Sequence, residues 1–163
     1  MKIFLRNLKD SDINILLETE NDESLWNYSL QDKPFSKSTI KNYIKNASVQ
    51  DIIDAKQKRF VISSNKIDIL GFIDLFEYNL VKREAFIGIV VLDKYRNLGV
   101  GYDSIQLLEL YCVNHVEIDK LFASIEVNNI KSIKLFNKSG FVKKHNDLYE
   151  KNIEWIKLFV DFF

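Results

Sequence analysis

Residues 85–105 place an apolar strand, a glycine-containing loop and a helix in direct succession, and this order limits the folds open to the chain. The strand pattern at 85–92 is rich in β-branched residues, and Arg96-Asn-Leu-Gly-Val-Gly101 separates it from a helical pattern. Glycine lets a ligand approach the backbone, and a helix N-terminus presents unpaired N–H groups at the positive end of the helix dipole. The segment therefore predicts an anion-binding loop, with a phosphate group as the expected ligand.

Two glycines alone are equally compatible with a tight strand-to-helix turn that binds nothing. A dinucleotide-binding fingerprint requires a third glycine, and this chain has Ser104 at that position. A P-loop requires Gly-Lys-Ser or Gly-Lys-Thr, which the loop lacks. The loop thus favours a phosphate-bearing ligand outside these two nucleotide-binding classes.

Length and composition predict one domain spanning residues 1–163, with 47% apolar and 28% charged residues. Lys+Arg and Asp+Glu both number 23, which argues against a nucleic-acid partner. A single cysteine, Cys112, excludes an internal disulfide, and the two histidines do not suggest a metal site. Without a signal pattern or an apolar run of about 20 residues, we expect a cytoplasmic protein that does not bind membranes. Abundant Lys, Asn and Ile suggest a bacterial source.

The apolar periodicity predicts about seven strands and four helices in the order βααβββαβαββ. The strands are expected at 2–8, 59–64, 69–78, 84–92, 120–127, 141–145 and 153–162. The helices are expected from Asp10–Asp12 to about Glu20, from Ser36 or Ser38 onward, at 100–115 and at 129–139. The strand at 84–92 is nearly all apolar, so we expect it to be buried on both faces. This order predicts an α/β (α+β) fold with a mixed central sheet.

A second motif follows the fifth predicted strand. Its residues are Asn129, Ser132, Leu135, Phe136, Gly140 and Phe141. Together with Arg96, Gly99 and Gly101, it resembles the two conserved motifs of the GNAT superfamily of N-acetyltransferases. Within that superfamily, the chain is most similar to bacterial spermidine/diamine and ribosomal-protein N-terminal acetyltransferases. The resemblance implies a GNAT-like acyl-CoA N-acyltransferase fold, splayed at the strand that binds acetyl-CoA.

The resemblance also implies which residues bind acetyl-CoA. Backbone amides of Ile89, Val90 and Val91 would bind the pantetheine arm, and the loop from Arg96 to Gly101 would hold the pyrophosphate. The remaining implied contacts are Asn97, Leu98, Val100, Tyr102, Asn129, Ser132 and Phe136. Asn129 is equally well interpreted as a helix N-cap, and Tyr102 as a surface aromatic.

The implied reaction moves an acetyl group from acetyl-CoA to a primary amine by direct attack in a ternary complex, without a metal. Glu84 is the first candidate for the base, and Asp74 and Glu77 on the preceding strand are the alternatives. Asn129 is a second catalytic candidate. Phe136 stands where many relatives carry a tyrosine that protonates the leaving thiolate. Water, Tyr102 or Tyr149 are the alternative donors, and loss of a general acid costs ~10²–10⁴ in rate.

Trp26, Tyr28 and Asp74 are the candidate acceptor contacts, because aromatic faces and carboxylates suit a cationic amine. We expect a small polyamine-like or diamine-like acceptor. The alternatives are the N-terminal amine of a protein, or a module that binds acyl-CoA without catalysis. The alternating segment 155–163 favours either a homodimer interface or completion of the sheet.

Overall fold

The computed structural model describes residues 1–26 and 32–153. Its strands are β1 Ile3–Asn7, β2 Lys58–Ser64, β3 Gly71–Asn79, β4 Glu84–Val91, β5 Lys120–Ser124, β6 Val142–His145 and β7 Leu148–Asn152. Its helices are α1 Ile13–Glu20, α2 Glu23–Trp26, α3 Lys37–Ala47, α4 Ile52–Ala55, α5 Val100–Tyr111 and α6 Ile130–Lys138. Within these ranges, no helix has the length and apolar character needed to cross a membrane.

The seven strands form one mixed sheet in the order β1-β2-β3-β4-β5-β7-β6. All neighbours are antiparallel except β4 and β5, which run parallel. Their pairing extends only from Glu84 opposite Lys120 to Phe86 opposite Phe122, whereas β4 itself continues to Val91. The sheet therefore opens between β4 and β5, which confirms the predicted splay.

Alternating side chains give the sheet two covered faces. On the first face, Ile73 of β3 and Ile87 of β4 belong to the same buried cluster as Ile105 and Leu108 of α5. On the second face, a smaller cluster joins the first strands to α1 and α3. Its buried members are Leu8, Leu16, Ile40, Ile44, Val61 and Phe72. Successive strand residues point to opposite faces, so β4 separates an α5 side from an α1/α3 side.

The predicted helix boundaries follow from capping chemistry. Ser36 caps α3, because its Oγ accepts the Thr39 N–H at 3.1 Å. The end of α6 is fixed by Gly140, whose φ of +89° favours a residue without a Cβ. Of the two predicted caps, Ser36 is therefore the one used.

Two predictions about the strands need correction. The sequence pattern missed β7, which lies between β5 and β6, because Glu150 and Lys151 interrupt its apolar residues. The predicted strand at 153–162 lies outside the described residues, apart from Ile153. The prediction that the strand at 84–92 is buried on both faces is wrong, because only Ala85 and Ile87 are buried within β4.

Candidate active site

The backbone of β4 directs its hydrogen-bonding groups alternately to β3 and to β5. On the β5 side, the Arg83 carbonyl accepts the N–H of Asp119 at 2.8 Å. On the β3 side, the Leu92 N–H donates to the Leu70 carbonyl at 2.9 Å. Because these groups alternate along a strand, odd-numbered residues of β4 face β5 and even-numbered residues face β3.

This alternation separates the three predicted cofactor contacts of β4. Ile89 and Val91 lie beyond the last β4–β5 pair at Phe86, so their backbone groups face the opening. Val90 pairs opposite Phe72, so its backbone faces β3 instead. The amides of Ile89 and Val91 are therefore accessible to a ligand in the opening, whereas the backbone groups of Val90 face β3.

The side chain of Arg96 ties the loop to the end of β4. Its Nε donates to the Val91 carbonyl at 2.9 Å, and its Nη1 lies 2.6 Å from Oδ1 of Asp93. The guanidinium thus satisfies a strand-end carbonyl that has no strand partner on this side. Arg96 acts here as a latch between strand and loop, a role that the motif alone did not predict.

The loop itself has the conformation that close backbone approach requires. Asn97 and Gly99 have φ values of +61° and +81°, and α5 starts at Val100. A Cβ built on Gly99 would have no atom within 4 Å, so the space beside it is open. Open space beside a helix N-terminus fits a phosphate-bearing group, which the loop amides from Arg96 to Gly101 would hold.

The next turn of α5 packs against α6. A Cβ on Gly101 would lie 2.9 Å from Cδ2 of Leu135, so the glycine allows the two helices to approach. The ammonium of Lys138 lies 4.8 Å from the ring centre of Tyr102. Tyr102 is half-buried and faces α6, and Leu98 is exposed in the loop.

The second motif begins with an N-cap. The Oδ1 of Asn129 accepts the Ser132 N–H at 3.2 Å, which fixes both residues at the first turn of α6. This confirms the capping interpretation of Asn129. Its predicted contact with acetyl-CoA is compatible with the cap, because the side-chain amide nitrogen is not used in that bond.

Phe136 lies in the core. It is 4% exposed, and its ring meets Phe141 edge-on at a centroid distance of 5.0 Å. Tyr149, an alternative proton donor, is also 4% exposed and lies opposite Ala123 of β5. Both side chains belong to the cluster on the α5 side of the sheet.

Glu84 lies at the far end of β4 from the opening. Ile89 is five positions further along the strand, which corresponds to about 16 Å. Its Oε1 lies 3.7 Å from Nζ of Lys82, and it pairs where β4 and β5 are still joined. The structure therefore does not bring this candidate base to the other predicted site residues.

Asp74 instead belongs to an ion cluster that the sequence analysis missed. Arg59 contacts Oδ1 of Asp74 at 2.5 Å and Oε1 of Glu20 at 2.6 Å. Its guanidinium also lies 5.6 Å from the ring centre of Tyr43. Burial acts to lower the pKa of Arg59, but the two carboxylates outweigh it, so this pKa lies above its ordinary value.

A cleft of about 340 Å³ adjoins this cluster on the α1/α3 side and is bordered by Tyr43, Arg59, Asp74 and Phe76. The carboxylate of Asp74 also reaches toward β4, because its Oδ2 would lie 3.9 Å from a Cβ on Gly88. Asp74 is thus the predicted substrate residue that the structure places beside the open strand.

Of the other acceptor candidates, Trp26 lies within the described residues. The indole N–H of Trp26 donates to the Glu20 carbonyl at 2.9 Å, so Trp26 is held to the end of α1. Glu20 in turn contacts Arg59, which links Trp26 indirectly to the cluster. Tyr28 lies outside the described residues.

Metal ligands do not gather anywhere in residues 1–26 and 32–153, where no three His, Cys, Asp or Glu side chains come together. Cys112 is fully buried, and burial raises the pKa of its thiol. His115 is exposed four residues after the end of α5, and the centre of its ring lies 5.1 Å from that of Tyr111.

Comparison with known proteins decides the family. A model described as an acetyltransferase (GNAT) domain matches residues 2–142. The chain belongs to the GNAT acetyltransferase family. This confirms the resemblance that the two motifs carried, together with the fold class and the acetyltransferase assignment.

Curated relatives of this GNAT protein include two spermidine N(1)-acetyltransferases. The Vibrio cholerae enzyme is 21% identical over 143 residues, 88% of this chain and 80% of the relative. The Escherichia coli K12 enzyme is 24% identical over 139 residues, 84% of this chain and 71% of the relative. A solved Vibrio cholerae spermidine N-acetyltransferase with CoA and spermine superposes with a TM-score of 0.78 at 19% identity and covers 92% of both chains.

Proposed function

We propose that this GNAT protein transfers the acetyl group of acetyl-CoA to a primary amine of a small molecule, by direct attack in a ternary complex. The observation that carries the proposal is the parting of β4 and β5 after Phe86, with the loop from Arg96 to Gly101 at the end of the same strand. One continuous segment thus offers strand amides for an extended arm and loop amides for a pyrophosphate.

The roles proposed for the residues of β4 follow from the direction of their backbone groups. The acetyl donor supplies an acyl thioester when bound. The N–H groups of Ile89 and Val91 face the opening and would donate to the amide-bearing arm or to the thioester oxygen. Fixed backbone donors aimed at a developing negative charge are a large term in acyl transfer. The Arg96 latch keeps these donors in place, because it holds the end of β4.

Direct attack is supported by the state of the only cysteine. Cys112 is buried on the α5 side, and its thiol has a raised pKa, so it does not present a thiolate for an acyl-enzyme. The cleft beside Asp74 adjoins β4 on the α1/α3 side, and the acceptor would approach from there. That approach would bring the amine to the opening, where the Ile89 and Val91 amides would hold the thioester.

The test is a turnover assay on the purified full chain with acetyl-CoA and a panel of polyamines, aryl-alkylamines, aminosugars and peptides. Thiol release and mass analysis of the product identify the acceptor. Lines that intersect in initial-velocity plots support the ternary complex, whereas parallel lines indicate an acyl-enzyme. Tight acetyl-CoA binding without turnover of any amine would overturn the enzyme proposal in favour of a binding module.

The N-terminal amine of a protein is the second candidate acceptor. Turnover of peptides alone would select it over a small-molecule amine.

The cytoplasmic location and the homodimer remain predictions, and the segment 155–163 that suggested the homodimer lies outside the described residues.

A further inference from the structure

Three phenylalanines form a row across the middle of the sheet. Phe76 of β3 stacks on Phe86 of β4 at a centroid distance of 5.6 Å, and Phe86 lies 5.5 Å from Phe122 of β5. All three rings are half-buried. Such a row forms an apolar strip, and its rings are not part of the buried cluster under α1 and α3, which is built on Val61 and Phe72.

The row lies at the base of the opening. Phe86 and Phe122 form the last β4–β5 pair before the strands part. Gly88 follows two residues later on the same face, and a Cβ there would lie 3.5 Å from Cε1 of Phe76. A group resting on the rings could therefore extend across Gly88 toward the amides of the opening without meeting a side chain on β4.

Four carboxylates near this strip have cationic partners. Glu84 lies 3.7 Å from Lys82, and Glu150 lies 2.8 Å from Lys144 and 3.8 Å from Lys120. On the cleft side, Glu20 and Asp74 both contact Arg59, as described above.

These four carboxylates are matched in number by their cationic partners, Arg59, Lys82, Lys120 and Lys144. Two carboxylates share the Arg59 guanidinium, so this cluster keeps one net negative charge for an ammonium group. A molecule with several ammonium groups would need further carboxylates without partners, or would have to displace lysines that already contact them. A flat apolar group, in contrast, gains from burial against the three rings.

We propose that the acceptor is an amine with one ammonium group on a short chain that ends in an aromatic ring, and that the row of Phe76, Phe86 and Phe122 binds this ring. The inference rests on the proposed acetyl transfer and names its substrate class. In this arrangement the ring lies on the row and the short chain crosses Gly88. The amine then reaches the opening beside Asp74.

Steady-state kinetics with acetyl-CoA separate the substrate classes. We expect kcat/KM for 2-phenylethylamine or tryptamine to exceed that for spermidine by at least tenfold, and to exceed that for propylamine, which lacks the ring. A kcat/KM for spermidine equal to or above that for the aromatic amines would overturn the inference but leave acetyl transfer intact. Absence of turnover with every amine would instead overturn the proposed function.

Variants test the row itself. Phe86→Leu and Phe122→Leu keep an apolar side chain but remove a ring, so KM for the aromatic amine should rise about 3- to 10-fold. The matched control is Phe4→Leu, because Phe4 is 41% exposed on the edge strand β1 and lies away from the opening. KM for propylamine should stay unchanged in all three variants, because propylamine has no ring to bind the row. A general disturbance of the fold would raise KM for both amines. An equal rise for both amines, or no rise for either, would refute the ring site.

Discussion

Gly71 is the position at which one added methyl group should do most harm to the active strand. A Cβ built there would lie 2.2 Å from the Val90 carbonyl oxygen and 2.9 Å from the Val91 Cα. Ordinary carbon–oxygen contacts are near ~3.3 Å, so the shortfall is about 1 Å. Both atoms belong to the backbone of β4, which cannot rotate away as a side chain can. Gly71→Ala must therefore push β3 and β4 apart at the end that carries the opening.

The expected cost lies at the upper end of the range for overpacking, about 3 kcal/mol. For a chain of this size, that corresponds to a fall in Tm of about 6–12 °C. Displacement of Val91 would also weaken the Arg96 latch, because the Arg96 Nε bonds the Val91 carbonyl. We therefore expect a raised dissociation constant for acetyl-CoA at temperatures where the variant remains folded.

Thermal unfolding followed by circular dichroism measures the first effect, and titration calorimetry with acetyl-CoA measures the second. Gly88→Ala is the matched control, since its new Cβ would meet Phe76 at an ordinary 3.5 Å. The Tm of Gly88→Ala should change by less than about 3 °C. Replacement of glycine by alanine also reduces the conformational freedom of the unfolded chain. A Gly71→Ala protein that melts within about 2 °C of wild type, or no lower than Gly88→Ala, would refute the packing argument.

Two further substitutions probe the site, and the reactivity of Cys112 probes the core. Gly99→Val places a branched side chain at a φ of +81° and in the space beside the loop, so the acetyl-CoA dissociation constant should rise at least tenfold; an unchanged constant would exclude the loop as the pyrophosphate site. Glu84→Gln should change kcat by less than about twofold at any pH, because Glu84 lies about 16 Å along the strand from Ile89. A large fall in kcat with loss of the acidic limb of the pH–rate profile would restore Glu84 as the base. The buried Cys112 thiol should not react with a disulfide reagent in the folded protein and should react fully in denaturant. Because burial raises its pKa above the ordinary 9.0, its contribution to stability persists below that pH and declines at higher pH, which melting temperatures from pH 8 to 10 would show.

Local chemistry explains which parts of the site could be predicted. The roles of Gly99 and Asn129 depend on neighbours within three or four residues, so the loop and the helix cap are visible in the sequence. The parting of β4 and β5 was predicted only through the family resemblance. Nothing in the local pattern shows how far two parallel strands stay paired.

The parts that could not be predicted depend on contacts between distant segments. Arg59 meets Glu20 across 39 positions and Asp74 across 15, so their ion cluster has no sequence signature. The row of Phe86 and Phe122 likewise needs the parallel register of β4 on β5. The strand β7 was missed for a different reason, because its charged residues belong to a hairpin with one solvated face.

The short β4–β5 pairing divides the sheet into two antiparallel ribbons, β1 to β4 and β5 to β7, joined by a seam of three residue pairs. Hydrogen bonds that would complete the seam are missing beyond Phe86, and a ligand lying in the gap would supply some of them. Such a ligand would pair with the free edge of β4 in the way that a neighbouring strand does. Binding of the proposed acetyl donor in the gap would then also hold the two ribbons together, so tighter donor binding would raise the free energy of unfolding of the complex.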